Sequence, residues 1–112
     1  MENKDNVLDY VPVQNCQWST DEKGKVYLIK EKTKNKLLKK VIGWLRRSQD
    51  FHIHLDELGS AAWMQVDGKR TILAISLLLK QTFAEKIEPA ETRLAHFFVQ
   101  LARDHFVRWE SE

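Results

Sequence analysis

FHIHLDELGSAAW, Phe51 to Trp63, changes its repeat halfway along, and that change decides the fold. Phe51, Ile53 and Leu55 alternate with His52, His54 and Asp56. A repeat of two belongs to a half-buried strand, with one face in the core and the other in water. From Leu58 the repeat lengthens: Leu58, Ala61, Ala62 and Val66 share a helix face that Trp63 widens. Asp56 stands at the junction. Its carboxylate can accept the free N–H groups of a first helical turn, and its charge suits the positive helix end. Glu57 adds to that effect, and Asp67-Gly68 closes the helix. The stretch predicts a strand that runs straight into a capped helix.

Towards the N-terminus, TDEKGK (Thr20 to Lys25) carries turn chemistry, with Gly24 at a positive-φ position. VYLIK (Val26 to Lys30) is β-branched and aromatic, and Val11 to Trp18 alternates apolar with polar residues. The two segments predict a hairpin. Between it and Phe51 lies NKLLKKVIGWLRR, Asn35 to Arg47. There Leu38, Val41, Ile42 and Leu45 share one face of a short helix, and five cations occupy mostly the others. Towards the C-terminus, Thr71 caps a second helix that buries Ile72, Ile75, Leu79 and Phe83, broadened by Leu78. Pro89 suits the first turn of a third helix, about Pro89 to Asp104, which buries Leu94, Phe97, Phe98 and Leu101. Phe106 to Trp109 reads as a short closing strand. The expected architecture is α+β and winged-helix-like: a hairpin, a basic amphipathic helix, a third strand, then three helices. Residues 1–10 read as a loose start and residues 11–110 as one domain.

At 112 residues the chain has the length of one domain. Hydrophobic residues make up 43% and charged residues 30%, the balance of a soluble globular protein, and no apolar run reaches the length of a membrane span. No apolar secretion segment opens the chain, and the single cysteine, Cys16, excludes an internal disulfide. Both features fit a cytoplasmic location. The net charge of +2 is small, yet Lys30, Lys32, Lys34, Lys36, Lys39, Lys40, Arg46 and Arg47 crowd one stretch. Such a patch is usually a solvated face. It also suits acidic peptides, phosphates or an anionic membrane surface.

The chemistry-bearing residues point away from catalysis. His52 and His54 project from one strand face, which gives two metal ligands at most, and Asp56 is better used as a cap. The sequence has no G-x-S-x-G, no reactive cysteine motif and no phosphate-cradling glycine loop. We expect neither metal nor cofactor, and no enzyme. Three helices after a strand also admit a winged-helix DNA-binding protein. The third helix, however, opens with Glu88 and Glu91, which repel phosphates, so nucleic acid is not the expected partner.

From Leu55 onward, Leu55, Glu57, Gly59, Trp63, Asp67, Gly68, Arg70, Thr71, Ile75, Phe83, Leu94, Phe98 and Leu101 follow the spacing of the PqqD family. The second half of the chain resembles that family. The resemblance implies a small winged-helix-like domain of three strands and three helices that acts as a ribosomal-peptide recognition element. Such a domain is a non-catalytic chaperone that presents a precursor peptide to a modifying enzyme, often a radical-SAM protein. It implies that the leader peptide adds as a strand to the edge of the third strand, in a groove beside the third helix.

Strand addition has its own physical basis, since an open edge offers unpaired N–H and C=O groups and adjoining pockets select side chains. The expected peptide-binding residues are therefore Phe51, His52, Ile53 and His54 on the strand. On the third helix, Ala95, Val99 and Ala102 would form a floor, with Arg93 and His96, beside Gln100 and Arg103, as a rim. Paired edge strands would also give a homodimer. The basic helix stands where the family pattern has a short connection. The resemblance implies pyrroloquinoline quinone biosynthesis or another peptide-modification pathway, and the basic helix would dock a different partner enzyme or an acidic leader.

Overall fold

The computed structural model describes residues 6–31 and 50–110; at residues 31, 50 and 51 only the backbone is described. The expected basic helix, Asn35 to Arg47, and residues 1–5 of the expected loose start lie outside them. The fold is α+β. Among the described residues five strands, β1 (Pro12–Gln14), β2 (Gln17–Thr20), β3 (Val26–Glu31), β4 (Asp50–His54) and β5 (Val107–Trp109), accompany three α-helices, α1 (Glu57–Met64), α2 (Ile72–Phe83) and α3 (Ala90–Arg103).

β2, β3 and β4 form an antiparallel meander. Its tight turn is made by Asp21, whose Oδ1 accepts the N–H groups of Lys23 and Lys25 at 2.9 and 3.0 Å. Gly24 has φ +85°, a conformation that residues with a side chain rarely adopt. The expected first strand, Val11 to Trp18, divides in two. At Asn15-Cys16 the chain leaves one sheet for another, and β1 pairs antiparallel with β5, Val13 opposite Arg108. The Asn15 N–H donates to Phe106 O at 2.9 Å and its amide donates to His105 O at 3.0 Å, so the C-terminal strand fixes the break. Trp18 ties the two sheets together. Its Nε1 donates to Gln14 Oε1, Gln14 Nε2 donates to Trp63 O, and its ring meets Trp63 edge-on at 6.3 Å.

The helices pack on one face of the meander. Val26 and Leu28 meet Trp63, Ile72, Ile75, Leu79, Leu94 and Phe98, all buried, in one core. Asp56 caps α1 as expected, accepting the Gly59 N–H at 2.7 Å, and Thr71 caps α2 through Ala74 N–H at 3.1 Å. Pro89 sits one place earlier than expected, at the N-cap of α3, and Glu88 Oε1 accepts the Ala90 N–H at 3.2 Å.

Two expectations change. Residues 7–9 of the expected loose start form a 3-10 turn that packs on the core, and Tyr10 meets Trp109 ring to ring at 5.0 Å. The face that α1 buries is Gly59, Ser60, Ala62 and Trp63, with Leu58 and Ala61 only half-buried. Polar Ser60 displaces the apolar pair because its hydroxyl completes the sheet. Leu55 N–H donates to Val26 O at 2.9 Å, but the return bond is relayed: Val26 N–H donates to Ser60 Oγ at 2.8 Å, and Ser60 Oγ–H points to Leu55 O at 3.5 Å.

Candidate functional site

β4 pairs with β3 along one side; among the described residues no strand occupies the other. The register states what the open side offers. Lys25 O receives a bond from Asp21 across the hairpin, and Val26 O receives one from Leu55. Bonding direction alternates along an antiparallel strand. The main-chain groups of Leu28 and Lys30 therefore face β4, and those of Ile53 and Phe51 face back. The N–H and C=O groups of His52 and His54 are left pointing away from the sheet.

The side chains of β4 divide between two faces. His52 and His54 stand on the face away from the helices beside Tyr27, His54 directly opposite it, with ring centroids at 4.8 and 5.4 Å from it. Among the described residues, no group of three or more His, Cys, Asp or Glu could hold a metal ion. Ile53 stands on the helix side, opposite Leu28. Leu28 is 0% exposed and Ile53 39%, so the apolar layer runs on, uncovered, to the edge of the sheet.

Beside that edge lies an open groove of about 570 Å³ between the end of β4 and α3. Leu55, Phe97 and Leu101 supply its apolar surface, with Thr92, Arg93, His96 and Gln100 around it. Arg93 is held in place at the rim, its Nη1 donating to Lys86 O at 2.9 Å. Among the described residues no carboxylate lines the groove. A second recess of about 150 Å³ adjoins it between Asp56, Leu58, Gly59 and Phe97. Gly59 permits this arrangement. A Cβ there would stand 3.1 Å from both Phe97 Cε1 and Asp56 Oδ1.

Of the residues expected at the site, His52, Ile53 and His54 lie on the open strand, and Arg93 and His96 line the groove beside it. Phe51 belongs to β4, with only its backbone described. Ala95, Val99 and Ala102 do not line it. They are half-buried, and Ala102 packs against the core. Successive residues turn by about 100°, which places these three roughly 140° around α3 from the groove residues. The floor is made instead by Leu55, Phe97 and Leu101, which the sequence marks only as core residues.

The remaining features are structural. A recess of about 280 Å³ at the junction of the two sheets is lined by Cys16, Lys30, His105 and Phe106, among others. Burial pushes the Cys16 thiol up to about 11, against a weaker opposing hydrogen bond from the Ile29 backbone, so it is a poor nucleophile near neutral pH. At the start of α3, Lys80 Nζ lies 3.1 Å from Glu91 Oε2 and 3.9 Å from Glu88 Oε2. Its own backbone N–H, and then the Lys80 side chain, hold the Glu91 carboxyl below the usual range. Among the described residues no helix is long and apolar enough to cross a membrane. Protein-family models, curated proteins and solved structures were compared with the chain, and none matches it.

Proposed function

We propose that the protein is a non-catalytic, cytoplasmic peptide-binding adaptor that takes an extended peptide as a fourth strand beside β4. By its resemblance to the PqqD family, the peptide is the leader of a ribosomally made precursor, presented to a modifying enzyme of the radical-SAM class. The observation that carries the reading is the coincidence of two features. The outward main-chain groups of His52 and His54 lead directly into Leu55, which with Phe97 and Leu101 forms the apolar groove.

Strand pairing supplies affinity without regard to sequence, and the groove then selects every second side chain. Residues of the peptide that fall opposite Ile53 point towards the groove. Those opposite His52 and His54 point to the Tyr27 face. Arg93 at the rim favours an acidic residue next to the apolar one, although Asp56 lines the adjoining recess with it. The rival reading, a winged-helix DNA-binding protein, gains nothing from a third helix that opens with Glu88 and Glu91.

The test is native co-purification of short peptides, read by mass spectrometry, for the wild type and two variants. His54→Pro removes an outward N–H without touching the β3 ladder. Phe97→Asp places a charge in the groove. Recovery of a discrete peptide by the wild type, lost in both folded variants, supports the adaptor. Recovery that is unchanged in both overturns the site.

A further inference from the structure

We propose that the recess beside Gly59 is a second side-chain pocket for the bound peptide. The protein then selects peptides with two apolar anchors separated by one residue, the second a short branched aliphatic side chain. The inference rests on the peptide-binding reading and deepens it. Gly59 is the starting point. Glycine weakens a helix interior relative to alanine, and its usual use is a positive φ. Gly59 has no such need, since among the described residues the positive-φ glycines are Gly24 and Gly68. It lies buried within α1, and what its missing side chain leaves is space. A Cβ there would stand 3.1 Å from Phe97 Cε1 and encroach on the recess of about 150 Å³ that Gly59 lines.

Arg93 and Phe97 line both this recess and the larger groove, so the two cavities meet at those side chains. Ala62 and Leu94, 0% and 1% exposed, close the recess from behind. Asp56 and Arg93 carry opposite charges beside it, so within it neither a cation nor an anion is favoured. An apolar cavity of about 150 Å³ holds one molecule of benzene. Valine, leucine and isoleucine side chains fit that volume, and an indole does not. The order of the chain sets the spacing. Side chains of an added strand face the helices at every second residue, about 6.6 Å apart. One that falls opposite Ile53 meets the groove. The next falls beside Leu55, where Asp56 caps α1 and accepts the Gly59 N–H at 2.7 Å.

Peptides selected on the whole chain from a randomised library test the proposal, with circular dichroism to show that Gly59→Ala is folded. Selection on the wild type should return two fixed apolar positions separated by one residue. In a selected peptide, replacing the second anchor by alanine or by tryptophan should weaken binding to the wild type about tenfold or more. Gly59→Ala should bind the parent peptide about fivefold more weakly or worse, and the alanine replacement should then cost less than about twofold. Replacing the first anchor by alanine should cost both proteins alike. Peptides that bind and protect the His52 and His54 amides, yet accept tryptophan at the second anchor or lose equally on both proteins, would overturn the second pocket and leave the adaptor reading standing. A library from which no peptide is selected would overturn the adaptor reading, and this inference with it.

Discussion

Ser60→Ala isolates a single hydrogen-bonding hydroxyl that closes the end of the β3–β4 ladder. In the native chain Val26 N–H has Ser60 Oγ as its acceptor at 2.8 Å, and both residues are buried. Removing the oxygen leaves a buried donor without an acceptor, which costs about 1–3 kcal/mol. The long 3.5 Å bond to Leu55 O adds little to this. Alanine favours the helix by about 0.5 kcal/mol, giving a net loss of roughly 0.5–2.5 kcal/mol. At about 2.1 cal/mol/K of unfolding entropy per residue over 112 residues, each kcal/mol corresponds to about 4 °C in Tm. The expected fall is therefore about 2–10 °C. Urea unfolding followed by tryptophan fluorescence should show a lower midpoint with an unchanged slope. Ser76→Ala is the matched control. It is also buried, but its hydroxyl donates to Leu73 O at 2.7 Å, so no buried donor is orphaned. Ser76→Ala should cost less than Ser60→Ala. Equal costs, or a Ser60→Ala midpoint indistinguishable from wild type, would refute the relayed-bond account.

Cys16, with its thiol raised from 9.0 to about 11, should react with iodoacetamide at pH 8 roughly a hundredfold more slowly in the folded chain than in urea. The same shift contributes stability that is complete below pH 9 and is lost as pH rises towards 11, which alkaline unfolding of wild type against Cys16→Ala will show. Gly59→Ala should be nearly neutral by thermal melt, because a gain in helix propensity of about 1 kcal/mol offsets the displacement of Phe97. Gly59→Val, with more volume against Phe97 and Asp56, should cost about 1–3 kcal/mol. The Asp67 carboxyl is held below its ordinary range by the N–H groups of Arg70 and then Lys69. Its contribution to stability is therefore present above the ordinary carboxylate range and lost as pH falls through the lowered value, so Asp67→Asn should flatten the acid limb of the stability curve.

The local elements were legible because they rest on neighbours in sequence. Alternation in Phe51 to Leu55 places β4, the carboxylate of Asp56 places the start of α1, and Asp21 with Gly24 places the hairpin turn. What the sequence concealed depends on distant partners. β1 separates from β2 only because Val107–Trp109 arrives to pair with it, and that contact joins opposite ends of the described chain. Ser60 looks like a polar interruption of a helix face until Val26, 34 residues earlier, is set beside it. The site was half legible for the same kind of reason. The open edge of β4 and the rim residues Arg93 and His96 follow from strand order and helix position. Which flank of α3 faces β4 does not, because both flanks carry small or apolar residues and only the packed fold separates them. Ala95, Val99 and Ala102 therefore lie on the flank of α3 away from the groove, and Phe97 and Leu101, core residues by pattern, lie on the flank that lines it.

The most direct test of the central claim is amide hydrogen exchange, resolved by residue, on the protein with and without a peptide selected from a randomised library. The account predicts new protection at the His52 and His54 amides, together with chemical-shift changes at Leu55, Phe97 and Arg93. Protection confined to another surface, or a library from which no peptide is selected, would contradict it.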